Sequence, residues 1–138
     1  MIVADTGAVV ALVDADDRHH LSLRSNFERD PDAWILPWAI LPEVDYLLAN
    51  HIGVRSQQAF MTDLASGAYR VEWGDDSDLT RARELNLHYR DLKLGLVDAA
   101  VMAVAERLKA GSIATLDLRH FGAVKIRGSP RLIPRDLE

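Results

Sequence analysis

Cysteine is absent from the 138 residues. That excludes disulfides, thiolate metal sites and a cysteine nucleophile. It also removes one mark of a secreted scaffold. No apolar run approaches the roughly 20 residues that span a bilayer. Met1-Ile2-Val3-Ala4 lacks a basic lead and stops at Asp5, which does not fit a secretory signal. A soluble, cytoplasmic protein with no membrane role is therefore expected. There is no linker, low-complexity tract or internal repeat, so one domain over residues 1–138 is expected. Excess positive charge is also lacking: 16 Lys and Arg stand against 21 Asp and Glu, a formal net charge of −5. That argues against broad electrostatic binding of nucleic acid, and direct DNA binding is not expected. The C-terminal stretch leans the other way, with Arg119, Lys125, Arg127, Arg131 and Arg135. They form either a guiding patch or an ordinary surface.

What is present is a quantity of apolar residues, 49% of the chain, enough for a core. Ile2-Val3-Ala4 reads as a buried strand. Thr6 is placed to cap a helix through Ala8, Val9, Leu12 and Val13. Asp14 to Asp17 interrupt it, and Arg18 to Arg29 read as a second helix. Pro31 marks a loop before a strand at Trp34-Ile35-Leu36. Pro42 starts a helix that runs to about Asn50. Gly53 breaks it, and another helix carries Val54, Gln58, Met61 and Leu64 to Gly67. Tyr69 to Trp73 is a short strand. Leu79, Ala82, Leu85 and Tyr89 share a helical face. Val97 to Leu108 is a helix with Gly111 past its end, and Ile113 to Leu116 is a strand. Further strands are expected at Val124–Ile126 and Leu132–Ile133. Strands alternating with helices predict an α/β three-layer sandwich with a mostly parallel central sheet. Ligands of such sheets bind beyond the carboxyl ends of the strands, where strand order switches.

Acids stand at those ends. Asp5 follows the first strand and Asp117 follows Ile113 to Leu116. In a parallel sheet both emerge at one edge. Each alone is also explained as a helix N-cap. Asp98 shares a helical face with Val101 and Ala105, where an unpaired carboxylate costs several kcal/mol. It too lies near a helix start, where capping is the plainer role. Glu43 falls in the first turn of its helix, where the dipole favours an acid. Asp45 points about 200° away from Glu43 and is expected to be solvated. Four converging carboxylates repel one another unless a cation neutralises them. Oxygen ligands of this kind select Mg²⁺ or Mn²⁺ over zinc. Such a site suits phosphodiester hydrolysis, in which one or two divalent ions help activate water and stabilise the leaving oxygen. No glycine-rich phosphate loop, Ser-His-Asp arrangement or His-rich zinc spacing competes with it.

The pieces in their order resemble the PIN-domain family, and within it the VapC-type toxins of toxin–antitoxin pairs. They are Val3-Ala4-Asp5-Thr6 with Ala8; Asp16-Asp17-Arg18-His19-His20; Leu41 to Leu48; Tyr89-Arg90-Asp91-Leu92 leading into Leu96-Val97-Asp98-Ala99-Ala100; and Ala114-Thr115-Leu116-Asp117 with Arg119-His120-Phe121. The similarity spans nearly the whole chain. It implies a Rossmann-like PIN fold, Mg²⁺- or Mn²⁺-dependent endoribonuclease activity on RNA, and inhibition by a VapB-like antitoxin. The family's four acids fall on Asp5, Glu43, Asp98 and Asp117. Asp5 and Asp98 take the role of primary metal ligands, and Glu43 and Asp117 complete the site. Thr6 and Thr115 take the role of groups that orient the carboxylates. Gly7 stands where many members carry Ser, a departure expected to loosen the first loop.

Other residues have plainer readings. His19, His20 and His120 are surface histidines or contacts for RNA and protons. Arg119 makes a surface ion pair or touches a phosphate. Asp91 is a solvated or capping acid. Trp34, Trp38 and Trp73 are core or interface aromatics. The stripes Val44, Leu47, Leu48 and Val54, Met61, Leu64 suggest paired helices flanking a groove for an amphipathic antitoxin segment. Other apolar surface suits a two-fold homodimer. Two further readings are a PIN-like binding module without catalysis and a phosphoacceptor receiver domain. The receiver would need an acidic pair at the first strand, where Asp5 stands alone.

Overall fold

In the computed structural model, which describes residues 1–137, five short strands form one parallel sheet. They are β1 (Ile2–Ala4), β2 (Trp34–Pro37), β3 (Arg70–Glu72), β4 (Ser112–Ala114) and β5 (Arg131–Ile133), in the order β3-β2-β1-β4-β5. Val3 sits opposite Ile35 on one side and Ile113 on the other. β2 is buried at every position, and β1 and β4 are buried beyond their first residue. A sheet covered on both faces needs such continuous apolar runs rather than alternation.

Helices link the strands: α1 (Thr6–Val13), α2 (His20–Arg29), α3 (Leu41–His51), α4 (Val54–Ser66), α5 (Asp76–His88), α6 (Gly95–Arg107) and α7 (Leu118–Phe121). The chain first steps from β1 to β2 to β3, then crosses to β4 and β5. Right-handed crossovers in opposite directions put their helices on opposite faces. The contacts sort accordingly: α1 packs with α2 and α3, and α3 with α4, whereas α5 packs with α6, which lies over β1 and β2. The direction reverses between β1 and β4. That switch is the crevice where an open parallel sheet binds its ligands.

Several local expectations change. Thr6 does not cap α1; Asp5 does, its carboxylate accepting from Thr6 N. Gly7 is therefore the second residue of a helix, not part of a loop. α2 begins at His20, because Asp17 ends the preceding turn by accepting from His19 N. Pro31–Ala33 forms a 3-10 turn rather than an irregular loop. Val124–Ile126 is not a strand; Val124 and Ile126 are buried from an irregular connection, so their apolar character reflects packing alone. β4 stops at Ala114, which frees Thr115 to Asp117 to turn into the crevice. The left-handed residue after α6 is Lys109, at φ 53°, rather than Gly111. Gly67 closes α4 in that conformation, as expected, at φ 82°.

One set of contacts has no signal in hydrophobic spacing. Arg107 of α6 grips Asp78 of α5 through Nε and Nη2, at 2.8 and 2.9 Å, and reaches Glu72 at 2.8 Å. Arg81 of α5 grips Glu106 of α6 at 2.7 and 3.2 Å. The two crossed forks lock α5 to α6 and so hold the helix that bears Asp98.

Candidate active site

Asp5 leaves the end of β1 and is 5% exposed. Its Oδ1 accepts from Thr6 N at 2.8 Å and its Oδ2 from Thr115 Oγ1 at 2.9 Å. Thr115 Oγ1 in turn accepts from Asp117 N at 3.0 Å. One hydroxyl thus ties the ends of β1 and β4 across the switch. Thr6 acts through its backbone; its own Oγ1 is buried with no partner among the described residues. Burial and the nearby Asp98 charge push the Asp5 carboxyl up to about 7, against the lowering effect of its two hydrogen bonds.

Asp98 is the fourth residue of α6, too far inside the helix to cap it. Burial raises its pKa, and the charges of Asp117 and Glu43 raise it further, while His120 opposes them. Asp117 is the N-cap of α7, its Oδ1 accepting from His120 N at 3.0 Å. The ring of His120 then turns back: Nδ1 lies 2.6 Å from Asp98 Oδ2 and 3.1 Å from Asp117 Oδ2. Asp98 holds its pKa up, with Asp117 and Asp98 charges adding to the effect. Ligand atoms of Asp98, Asp117 and His120 all lie within 4.8 Å of one another. Glu43 is exposed in the first turn of α3, at the rim, and acts on this group through its field.

The crevice therefore draws acids from separate segments: Asp98 and Asp117 share one close group, and Asp5 and Glu43 stand outside it but are coupled to Asp98 through their charge. It also gathers His120, which the sequence read as a surface histidine or a contact for RNA and protons, not as part of the acidic site. Its signal was local: a residue three after a capping aspartate presents its N–H to that carboxylate. Of the other histidines, His20 is tied to Ala11 O at 2.9 Å and His19 accepts from Arg18 at 3.1 Å. Asp45 is not simply solvated, since it accepts from Gln57 of α4 at 3.0 Å. Asp91 is exposed, Trp34 is core, Trp38 is partly buried, and Trp73 is 75% exposed. Arg119 is exposed and makes no ion pair among the described residues.

The donor set suits a divalent ion. Carboxylate oxygens are hard ligands, and here burial and mutual repulsion raise the pKa of two of them, the strain a bound cation relieves. The orphaned Thr6 hydroxyl beside Asp5 is a further polar group without a partner among the described residues.

A model of the PIN domain matches residues 2–126. The chain belongs to the PIN-domain family. Among known PIN-domain relatives, Ribonuclease VapC26 of Mycobacterium tuberculosis is 31% identical over 130 residues, 94% of this chain and 96% of that protein. The crystal structure of VapC20 from the same organism, a sarcin-ricin loop cleaving toxin, matches with a TM-score of 0.77 at 22% identity, over 91% of this chain and 97% of that one. DNA-bound VapBC from Salmonella typhimurium matches at 0.71 with 16% identity, over 95% of each chain. Membership closes the receiver-domain alternative. Among the described residues, no helix of this PIN domain is long and apolar enough to cross a membrane.

Proposed function

We propose that this chain, as one PIN domain over residues 1–138, is a metal-dependent endoribonuclease and the toxin of a toxin–antitoxin pair. The observation that carries the reading is the meeting of Asp5, Asp98 and Asp117 at the switch point, two of them with raised pKa values. It is supported by likeness to a ribonuclease along 94% of the chain. A catalytically silent module would have little reason to keep buried, mutually repelling acids.

Asp5 and Asp98 are the primary ligands in this reading, with Glu43 and Asp117 completing the set. Mg²⁺ or Mn²⁺, when bound, would supply charge to offset that of the phosphodiester and lower the pKa of the attacking water. Thr115 holds Asp5 in place and orients the start of the Asp117 turn. The α5–α6 forks hold Asp98. Glu43, at the open rim, is the acid best placed to meet a water entering from solvent. The substrate is single-stranded or looped RNA, whose backbone is accessible where an A-form duplex is not. The partner is a VapB-like antitoxin, the working form a homodimer, and the location the cytoplasm.

The experiment is cleavage of total RNA by antitoxin-free protein, with and without chelator. Discrete fragments that appear only with Mg²⁺ or Mn²⁺ support the reading. A folded protein that cuts no RNA under any metal condition returns it to the silent module.

A further inference from the structure

The ring of His120 sits where a cation bound by two carboxylates would find its third ligand. Its Nδ1 is 2.6 Å from Asp98 Oδ2 and 3.1 Å from Asp117 Oδ2. Neighbouring donors on a small octahedral ion, each about 2.1 Å from the metal, are about 3 Å apart. The two distances from Nδ1 bracket that spacing from below and above, and ligand atoms of all three residues lie within 4.8 Å of one another, close enough to share one ion. The ring is also held from behind. Asp117 Oδ1 accepts the His120 backbone N–H, and the Leu92 backbone lies close enough to the imidazole to help raise its pKa. Metal-binding histidines commonly have a backbone carbonyl as such an outer partner, which fixes the ring and its tautomer. The side chain is only 16% exposed, so its position is set by the fold rather than by solvent.

Resting on the reading of the acids as a metal site, we propose that His120 is a nitrogen ligand of that metal and gives this chain a preference for Mn²⁺ over Mg²⁺. Mg²⁺ favours oxygen donors and gains little from imidazole, whereas first-row transition ions accept it readily. An all-carboxylate site would not separate the two ions in this way; one imidazole breaks the tie.

The test reads the metal directly. In pulsed electron paramagnetic resonance, the Mn²⁺-loaded wild type should show echo modulation from a coordinated nitrogen. His120→Gln should lose that modulation. By calorimetry it should bind Mn²⁺ about tenfold more weakly or worse, with Mg²⁺ binding not weakened. His120→Ala, checked for folding by circular dichroism, should behave alike. Asp98→Asn should abolish binding of both ions. If Asp98→Asn removes Mn²⁺ but the wild type shows no nitrogen modulation, the histidine is only a hydrogen-bond partner: this proposal falls and the acidic site stands. If Asp98→Asn leaves Mn²⁺ binding unchanged, both fall.

Discussion

At the scale of single residues, Asp5 controls two properties at once. Its folded pKa, about 7, lies above the 3.8 of a free aspartate. The folded, metal-free protein therefore holds this proton more tightly than the unfolded chain does. The resulting stabilisation is complete below about pH 4 and is lost as pH rises through about 7. The displacement amounts to roughly 4 kcal/mol at most. The raised pKa values of Asp98 and His120 act in the same direction. The metal-free melting temperature should therefore fall between pH 5 and pH 8. Asn at position 5 can accept from Thr6 N and donate to Thr115 Oγ1 while carrying no charge. Asp5→Asn should then abolish RNA cleavage, and should raise the metal-free melting temperature at pH 8 by several degrees and at pH 5 by less than half as much. Added Mn²⁺ should stabilise the wild type and not the variant. A melting difference independent of pH, or full activity, would contradict the role given to Asp5. Gly7 is a milder case. A Cβ there would meet only Leu116 Cβ, at 3.9 Å, an ordinary contact. Gly7→Ser should fold and cut RNA as the wild type does, which parallel thermal melts and RNA cleavage assays would check.

At the scale of elements, the forks between α5 and α6 decide how firmly Asp98 is held. Asp78 is almost fully buried, and Arg107 is its main counter-charge. Arg107→Ala leaves that carboxylate, among the described residues, with only the Asp75 N–H and should cost about 2–4 kcal/mol in urea unfolding, the solvent-facing arginine end reducing the figure for a fully buried pair. Arg107→Lys should recover only part, because an ammonium cannot reproduce the two-pronged grip. Equal stability of all three proteins would mean that the pair is idle. These forks also mark where reading the sequence stops. β1, β2, α3, α4 and α6 were legible because apolar spacing and the turn chemistry of Pro42, Gly53 and Gly67 agreed. Asp5, Asp98 and Asp117 stood out as candidates because acids at strand ends and on an apolar helix face conflict with burial, whereas exposed Glu43 stood out only through the family resemblance. The pairing of Arg107 with Asp78 was not, since partners 29 residues apart follow from how two helices cross. His120 was half hidden: its tie to Asp117 is local, but its contact with Asp98, 22 residues earlier, follows from the fold. Val124–Ile126 misled because a buried loop and a strand share the same composition.

At the scale of the whole molecule, surface charge and exposed apolar area govern partners. Arg131 and Arg135 are committed to Asp136, whereas Arg119 is exposed two residues from Asp117 with no ion pair among the described residues. Arg119→Ala should lower the salt slope of RNA binding by about one, and Arg135→Ala should not; equal slopes would remove Arg119 from the substrate path. The surface open to an antitoxin differs from the stripes expected from spacing. Val44 and Leu48 are wholly buried, so they belong to the core and cannot line a groove. A charge at Leu48 would cost several kcal/mol, against a total stability of about 5–15 kcal/mol. Loss of binding by Leu48→Asp would therefore report unfolding. What α3 and α4 do present to solvent is Tyr46, 64% exposed, with Val54 at 56% and Met61 at 54%. Tyr46 lies three residues after Glu43, on nearly the same helical face, and Val54 and Met61 are seven apart on one stripe of α4. An amphipathic antitoxin helix laid on this surface would bury its apolar side there and end beside the carboxylates. Val54→Asp and Met61→Asp alter exposed positions, so both variants should fold and retain RNA cleavage. Co-expressed with the product of the gene immediately upstream, they should elute from size exclusion without the partner and escape inhibition. Normal co-elution and full inhibition of both variants would place the antitoxin on another face, with the nuclease reading unaffected.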